Sequence, residues 1–192
     1  MCLAALVRRP AKMVTVAQLR IAHTADLDAV TLRAVRLLLD EIFAAEFTDR
    51  DWEHTLGGMH ALAWDGAELI GHASLVQRRL LHAGRALRAG YVEGLGVRPT
   101  RRGHGHGAAL MAALERVVRG AYQVGALSTT EQAAGFYTAR GWLAWQGRSG
   151  ALTPTGIIRT PDDDDGIYVL PCDVPLDLTG DLTCDWRDGD LW

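Results

Sequence analysis

Three glycines alternate with histidines in Arg101-Arg102-Gly103-His104-Gly105-His106-Gly107, where a strand pattern gives way to a helical one. Glycine lets the backbone come close to a ligand. A helix start adds unpaired N–H groups and the positive end of a dipole, so the segment reads as a phosphate cradle. Arg101 or Arg102 would add charge to it. No Lys-Ser/Thr follows the last glycine, which excludes a Walker A loop. Gly-x-Gly-x-Gly is also one residue short of the dinucleotide pattern. His104 and His106 are too few for a metal site, which takes three or four ligands, and no metal is expected. A second reactive group stands just upstream. Glu93, in Tyr91-Val92-Glu93-Gly94-Leu95, is a carboxylate inside an otherwise apolar strand, an unusual place for one. Gly94 after it predicts a bulge or a close backbone approach.

The elements that must position these groups follow from periodicity and turn signals. Residues 18–22 read as a strand and 26–45 as an amphipathic helix, with Leu27, Val30, Leu32, Val35, Leu38, Leu39, Ile42 and Phe43 at helical spacing. Asp26 or Thr24 is the expected cap. A short helix is expected at 48–54. Strands at 59–64 and 68–77 flank the hairpin signal Asp65-Gly66. A further hairpin at 82–85 leads into a strand at 86–97, ended by Pro99. Then come a helix at 103–119, a strand at 122–127 and a helix at 131–140 stopped by Gly141. Strands at 142–145 and 166–170 follow, with an acidic turn at 162–165 and an aromatic-rich tail at 182–192. This order predicts an α/β fold, a mixed sheet of about six or seven strands with helices on its faces.

The chain has 192 residues, 48% of them hydrophobic, enough for one compact domain. We assign that domain to 17–192 and read 1–16 as a loose extension, with Met13 as an alternative start. The net charge of −3 argues against nucleic-acid binding. Its distribution is uneven. Residues 151–192 hold ten aspartates and two arginines, a net −8, and the rest of the chain carries +5. A basic body with an acidic tail suits a protein that meets an anion on one side and a cation on the other; a solvated acidic surface is the alternative. Cys2, Cys172 and Cys184 show neither metal spacing nor a disulfide framework, which fits a cytoplasmic protein. No membrane span and no signal peptide is expected.

Arg102-x-x-Gly105-x-Gly107, entered through Val97-Arg98-Pro99, resembles the R/Q-x-x-G-x-G/A signature of the GNAT acetyltransferases. The resemblance implies the GNAT acyl-CoA N-acyltransferase fold, with acetyl-CoA as cosubstrate. It implies that Leu95, Gly96, Val97, Arg102, Gly103, His104, Gly105, His106 and Gly107 bind that cosubstrate. The strand carrying Glu93 would splay from its neighbour and offer N–H groups to the acetyl carbonyl. Gly135-Phe136-Tyr137-Thr138-Ala139-Arg140-Gly141-Trp142 is similar to the family's F-Y-x-x-x-G-[FW] segment, which makes Tyr137 the general acid for the departing thiolate. Glu93 would be the base, acting through water on the attacking amine. Transfer would be direct, with no cysteine nucleophile.

A narrower resemblance runs from about residue 17 to the C-terminus. The segments 47–61, 77–80, 90–94, 119–123, 125–128 and 184–192 resemble the aminoglycoside 2′-N-acetyltransferases, in particular the chromosomally encoded mycobacterial members. This implies antibiotic resistance, a homodimer and a substrate site made of Glu46, Asp51, Glu93, Gly94, Ser128, Asp163, Asp190 and the terminal carboxylate of Trp192. Aminoglycosides are polycations, and carboxylates are what their ammonium groups require. Glu46 stands where these relatives carry Asp, and the run Asp162 to Asp165 leaves open which of its members makes contact. Two other readings remain at this point. One is a GNAT enzyme for a cellular amino sugar or other small amine, with the drugs as side substrates. The other is a non-catalytic binding module, against which intact Glu93 and Tyr137 argue.

Overall fold

The computed structural model describes residues 17–192. The expected extension at 1–16 lies outside the described residues. The chain opens with β1 (Gln18–His23), a 3-10 turn and helix α1 (Ala29–Phe43). Helix α2 (Asp49–His54) leads to three antiparallel strands, β2 (Met59–Asp65), β3 (Glu68–His82) and β4 (Arg85–Val97). Helix α3 (His106–Ala121), β5 (Val124–Ser128) and helix α4 (Glu131–Thr138) follow. The last part holds β6 (Leu143–Ala144), β7 (Ser149–Thr153), β8 (Gly156–Arg159), β9 (Ile167–Pro171) and β10 (Leu182–Cys184).

These strands form one sheet, ordered β6-β9-β5-β4-β3 up to its centre. There the edge of β3 is shared. Its first half pairs with β2, which carries β1, and its last residues pair with β10, which leads on to β7 and β8. Alternation along β2 sends successive side chains to opposite faces. Ala61 and Ala63 pack with Leu110, Met111 and Leu114 of α3, while Leu62 packs with Val35, Leu38 and Leu39 of α1. A third core lies under the C-terminal segment, where Leu80 and Leu87 meet Trp145, Ala151 and Trp192.

The α/β class and the order of the first elements are as expected, with corrections of detail. Helix α1 is capped by Asp28, whose Oδ1 accepts from the Thr31 N–H at 2.7 Å, not by Asp26 or Thr24. Helix α3 starts at His106, not at Gly103, because Gly103 and Gly105 sit at φ 78° and 81°, outside helical space. Strand β3 runs on to His82 because β4 and β10 keep pairing with it. The described residues hold ten strands where six or seven were expected; β7, β8 and β10 are the additions. The strand β10 is three residues long and finds its partners about 33 and 100 positions away in sequence, so local pattern does not reveal it.

Candidate active site

The site grows from the parting of β4 and β5. These parallel strands pair only at Ala89–Val124, Gly90–Gly125 and Tyr91–Ala126. From Val92 onward the β5-facing edge of β4 has no β5 partner, which is the splay expected from the resemblance. On the other edge the register shifts between His72 and Ser74, which oppose Gly96 and Glu93, so Gly94 and Leu95 bulge across from Ala73. Gly94 takes φ 55°, and a Cβ there would come to 3.0 Å from Thr55 Cγ2.

A hydrogen-bonded chain underpins this bulge. The Gly94 carbonyl lies 2.9 Å from His72 Nδ1, His72 Nε2 lies 2.9 Å from His60 Nδ1, and His60 Nε2 lies 2.8 Å from the Thr24 hydroxyl. A carbonyl only accepts, so His72 must donate to it through Nδ1 and accept at Nε2. His60 must then donate from Nδ1, and Thr24 to its Nε2. Both imidazoles are fully buried and neutral; desolvation draws His60 down to about 4 and His72 down to about 3.

Below the splay, Gly105 ends a turn from which α3 begins. The first bond of the helical ladder runs from Ala109 N–H to Gly105 O at 3.0 Å, so the N–H groups of His106, Gly107 and Ala108 precede it. A Cβ on Gly103 or Gly105 would meet nothing within 4 Å, so the space over the loop is open. Arg101 is held by Asp65 at 2.8 Å and Glu68 at 3.0 Å. Among the described residues Arg102 is held only through Nε on the Val97 carbonyl, at 3.0 Å, and its other guanidinium nitrogens have no partner there. A cleft of about 590 Å³ starts here and is walled by Ile42, Phe43, Leu95 and Phe136. Gly96, Val97, Gly103, Gly105, His106 and Gly107 also line it. His104 does not; it turns back to the Arg102 carbonyl at 2.8 Å. A cationic, N–H-rich end joined to an apolar wall fits a phosphate-bearing ligand with a long arm, as acyl-CoA is.

Glu93 lies at the bulge with 15% of its side chain exposed. Arg187 donates to its Oε1 through Nη1. Burial raises the Glu93 pKa above the ordinary carboxylate value, and the charge of Arg187 opposes the rise. Tyr137 is buried among Phe136, Trp142 and Tyr168, and burial raises its pKa too. Its helix is anchored from α3. Glu115 takes both Arg140 Nε and Nη2 at 2.8 Å and Trp142 Nε1 at 3.0 Å, one turn and more past Tyr137. We expect Glu115→Ala to lower stability by about 3–5 kcal/mol, because a partly buried arginine and the buried Trp142 N–H both lose their partner. The urea midpoint measures it; a loss below about 1 kcal/mol would mean the pair is dispensable.

Ten aspartates lie in the C-terminal part of the chain, residues 151–192. Asp163 is half-buried, and its pKa is raised by burial and by the nearby charge of Asp190. Asp164 is committed elsewhere: it accepts from Ser149 N–H and Oγ at 2.7 Å and from Arg159 at 2.8 Å. Asp162 and Asp165 are exposed. Asp165 lines a small pocket with Thr130, Glu131, Ala134 and Tyr168. Trp192 is buried, and its Nε1 donates to Thr160 Oγ1 at 3.0 Å, which brings the chain end to this turn. Ser128 ends β5 beside it, and Thr129 N–H bonds the Gly166 carbonyl at 2.9 Å. Helix α2 joins through His54 Nε2, 2.8 Å from the Asp188 carbonyl. Asp51 on this helix closes a capping box with Thr48, which occupies its Oδ2. Glu46 is exposed on the 3-10 turn before α2.

Sequence reasoning missed Arg187, His60, His72 and Glu115. Arg187 carried a signal, a cation inside a tail of net −8. The histidines carried none, because a His in a strand is ordinary until its neighbour across the pair is known. Ile42 and Phe43, placed at helical spacing on the first helix, wall the cleft. Among the described residues there is no group of three or more His, Cys, Asp or Glu that could hold a metal.

The splayed parallel pair, the bulge and the glycine loop at a helix start define an acyl-CoA N-acyltransferase site. The chain belongs to the GNAT family of acetyltransferases, whose family model matches residues 31–142. Within it, the chain is similar to the aminoglycoside 2′-N-acetyltransferase of Mycolicibacterium fortuitum, with 52% identity over 177 residues, 90% of this chain and 91% of that protein. Among solved structures it resembles a GNAT family N-acetyltransferase from Escherichia coli in complex with CoA (TM-score 0.63, 17% identity, 94% of this chain and 93% of that one). It also resembles a GNAT family acetyltransferase from Brucella melitensis in complex with acetyl-CoA (TM-score 0.57, 15% identity, 86% and 94%). These likenesses bear out the expected family and fold.

Proposed function

We propose that this protein transfers the acetyl group of acetyl-CoA to the 2′-amine of aminoglycoside antibiotics, and so confers resistance to them. The observation that carries the reading is the position of Glu93. It is a largely shielded carboxylate, two residues before Leu95 of the cleft wall and held by Arg187, which also binds the Asp190 carbonyl. The relative from Mycolicibacterium fortuitum bears the matching activity in its name. Glu93 takes the proton of the attacking ammonium through water, which its raised pKa favours at neutral pH. The free edge of β4 stabilises the charge that develops on the carbonyl oxygen. Tyr137, kept protonated by burial, gives its proton to the departing sulfur. Arg102 and the first N–H groups of α3 hold the pyrophosphate. Asp51, Asp163, Asp190, Glu46, Ser128 and the Trp192 carboxylate hold the sugar rings, Asp51 through its remaining oxygen. The same reading makes the protein a cytoplasmic homodimer with 17–192 as one domain.

The test compares kanamycin B with kanamycin A, which differ by a 2′-amine against a 2′-hydroxyl. Release of CoA from acetyl-CoA should occur with kanamycin B alone. Equal turnover of both would put the acetyl on another amine and sink the 2′ assignment.

A further inference from the structure

The proposed base is not alone in its pocket. Glu93 is faced by Arg187 from the C-terminal tail, by Arg78 from β3, by His54 from α2 and by Tyr91 from its own strand. Arg78 is 4% exposed and is taken up by Asp185, at 2.8 Å through Nε and 2.9 Å through Nη2 to the carbonyl. Its Nη1 holds the Leu191 carbonyl at 2.7 Å. Arg187 has no carboxylate other than Glu93 among the described residues; its Nε goes to the Asp190 carbonyl at 2.6 Å. The two guanidinium groups lie over the Tyr91 ring, at 4.8 and 5.5 Å from its centroid. The buried cluster is therefore neutral only while Glu93 is ionised: Arg78 balances Asp185, and Arg187 balances Glu93.

We propose that Arg187 is a positioning residue for Glu93, holding its carboxylate by Oε1, keeping it charged and leaving Oε2 to receive the proton. This rests on the reading of Glu93 as the base. Among the described residues Oε2 has no hydrogen-bond partner, while Oε1 accepts from Arg187. A carboxylate this shielded from water, without a cation beside it, holds a proton more readily and is less often free to act as a base. The arginine reaches Glu93 from the segment that also carries Asp190 and Trp192. The carboxylates assigned to substrate and the control of the base thus arrive on one short piece of chain. When the tail seats itself, the base is set.

Arg187→Gln and Arg187→Lys of the full chain test this in two ways. The first is a 13C NMR titration of glutamate-carboxyl-labelled protein, with Glu93→Gln used to assign the Glu93 signal. The second is the pH profile of kcat/KM with acetyl-CoA and kanamycin B. In Arg187→Gln the Glu93 signal should titrate at least about one unit higher than in wild type. The acid limb of kcat/KM should move up with it, a roughly tenfold loss per unit at pH values below the limb. Arg187→Lys keeps the charge without the planar fork and should fall between. An unchanged Glu93 titration in both variants would overturn the proposal, and so would a uniform loss of activity at every pH with no movement of the limb. If Arg187→Gln does not fold, the Lys variant decides alone, since wild-type behaviour in it would also overturn the idea. A shifted titration without turnover of kanamycin B would leave the hold of Arg187 on Glu93 standing and remove the proposed substrate instead.

Discussion

Glu93→Gln should lower kcat with kanamycin B by two to four orders of magnitude, the range that a positioned base contributes, while the affinity for acetyl-CoA changes less than about threefold. The two effects separate because Glu93 is not among the residues that line the cleft. The cleft for the cosubstrate is made by the α3 turn, Arg102 and the walls at Ile42, Phe43 and Phe136, none of which touches the Glu93 carboxylate. Glutamine keeps the shape and an oxygen for Arg187, but it cannot take a proton. The residual rate should rise with pH as more of the amine arrives already neutral, instead of levelling off. Pre-steady-state acetyl transfer and calorimetric binding of acetyl-CoA measure the two quantities. A variant that keeps kcat within about threefold would move the base to another group.

The second large effect is on stability. In the unfolded chain His60 and His72 titrate near 6.5; in the fold they are drawn down to about 4 and about 3. Between these limits the unfolded state binds more protons, so stability is complete above pH 6.5 and is lost as pH falls. Each histidine costs about 1.4 kcal/mol per unit once below its unfolded pKa. At pH 5 the pair costs on the order of 4 kcal/mol, a large share of the 5–15 kcal/mol typical of a domain. The raised pKa of Glu93 and of Asp163 acts in the opposite sense at the acid end. A double His60→Gln, His72→Gln variant should be less stable at pH 7.5 and have a much flatter dependence down to pH 5. Urea midpoints across that range give both slopes, and parallel slopes would show that the buried pair is not the sensor.

The sequence carried this site unevenly, for physical reasons. The α3 turn was legible because its requirements are local: a glycine at positive φ and a helix start within a few residues. Glu93 was legible because a charge in an apolar strand contradicts its surroundings. Which aspartate of the run 162–165 is already taken up shows only in three dimensions, where Ser149 and Arg159 occupy Asp164. Arg187 meets Glu93 across 94 positions, and His60 meets His72 only once β2 and β3 are in register. Such contacts are properties of a pairing, and no window along the chain contains both members. Of the three unpredicted strands β10 is of the same kind, while β7 and β8 form a local hairpin, Thr153 opposite Gly156, whose pattern was not read.

The shared edge of β3 divides the labour of the sheet. The groups proposed to handle the cosubstrate lie on strands, helices and turns up to Trp142, the stretch in which the family model matches. Most of the carboxylates assigned to the sugar lie beyond it, on loops between β7 and the chain end that reach the sheet through β10 and, after Asp163, through β9 on β5. A strand that offers one half of its border to each of two partners lets them vary separately. Mutation can rewrite which polyamine is recognised by altering the later strands and their loops, while the machinery for the acyl donor is inherited unchanged.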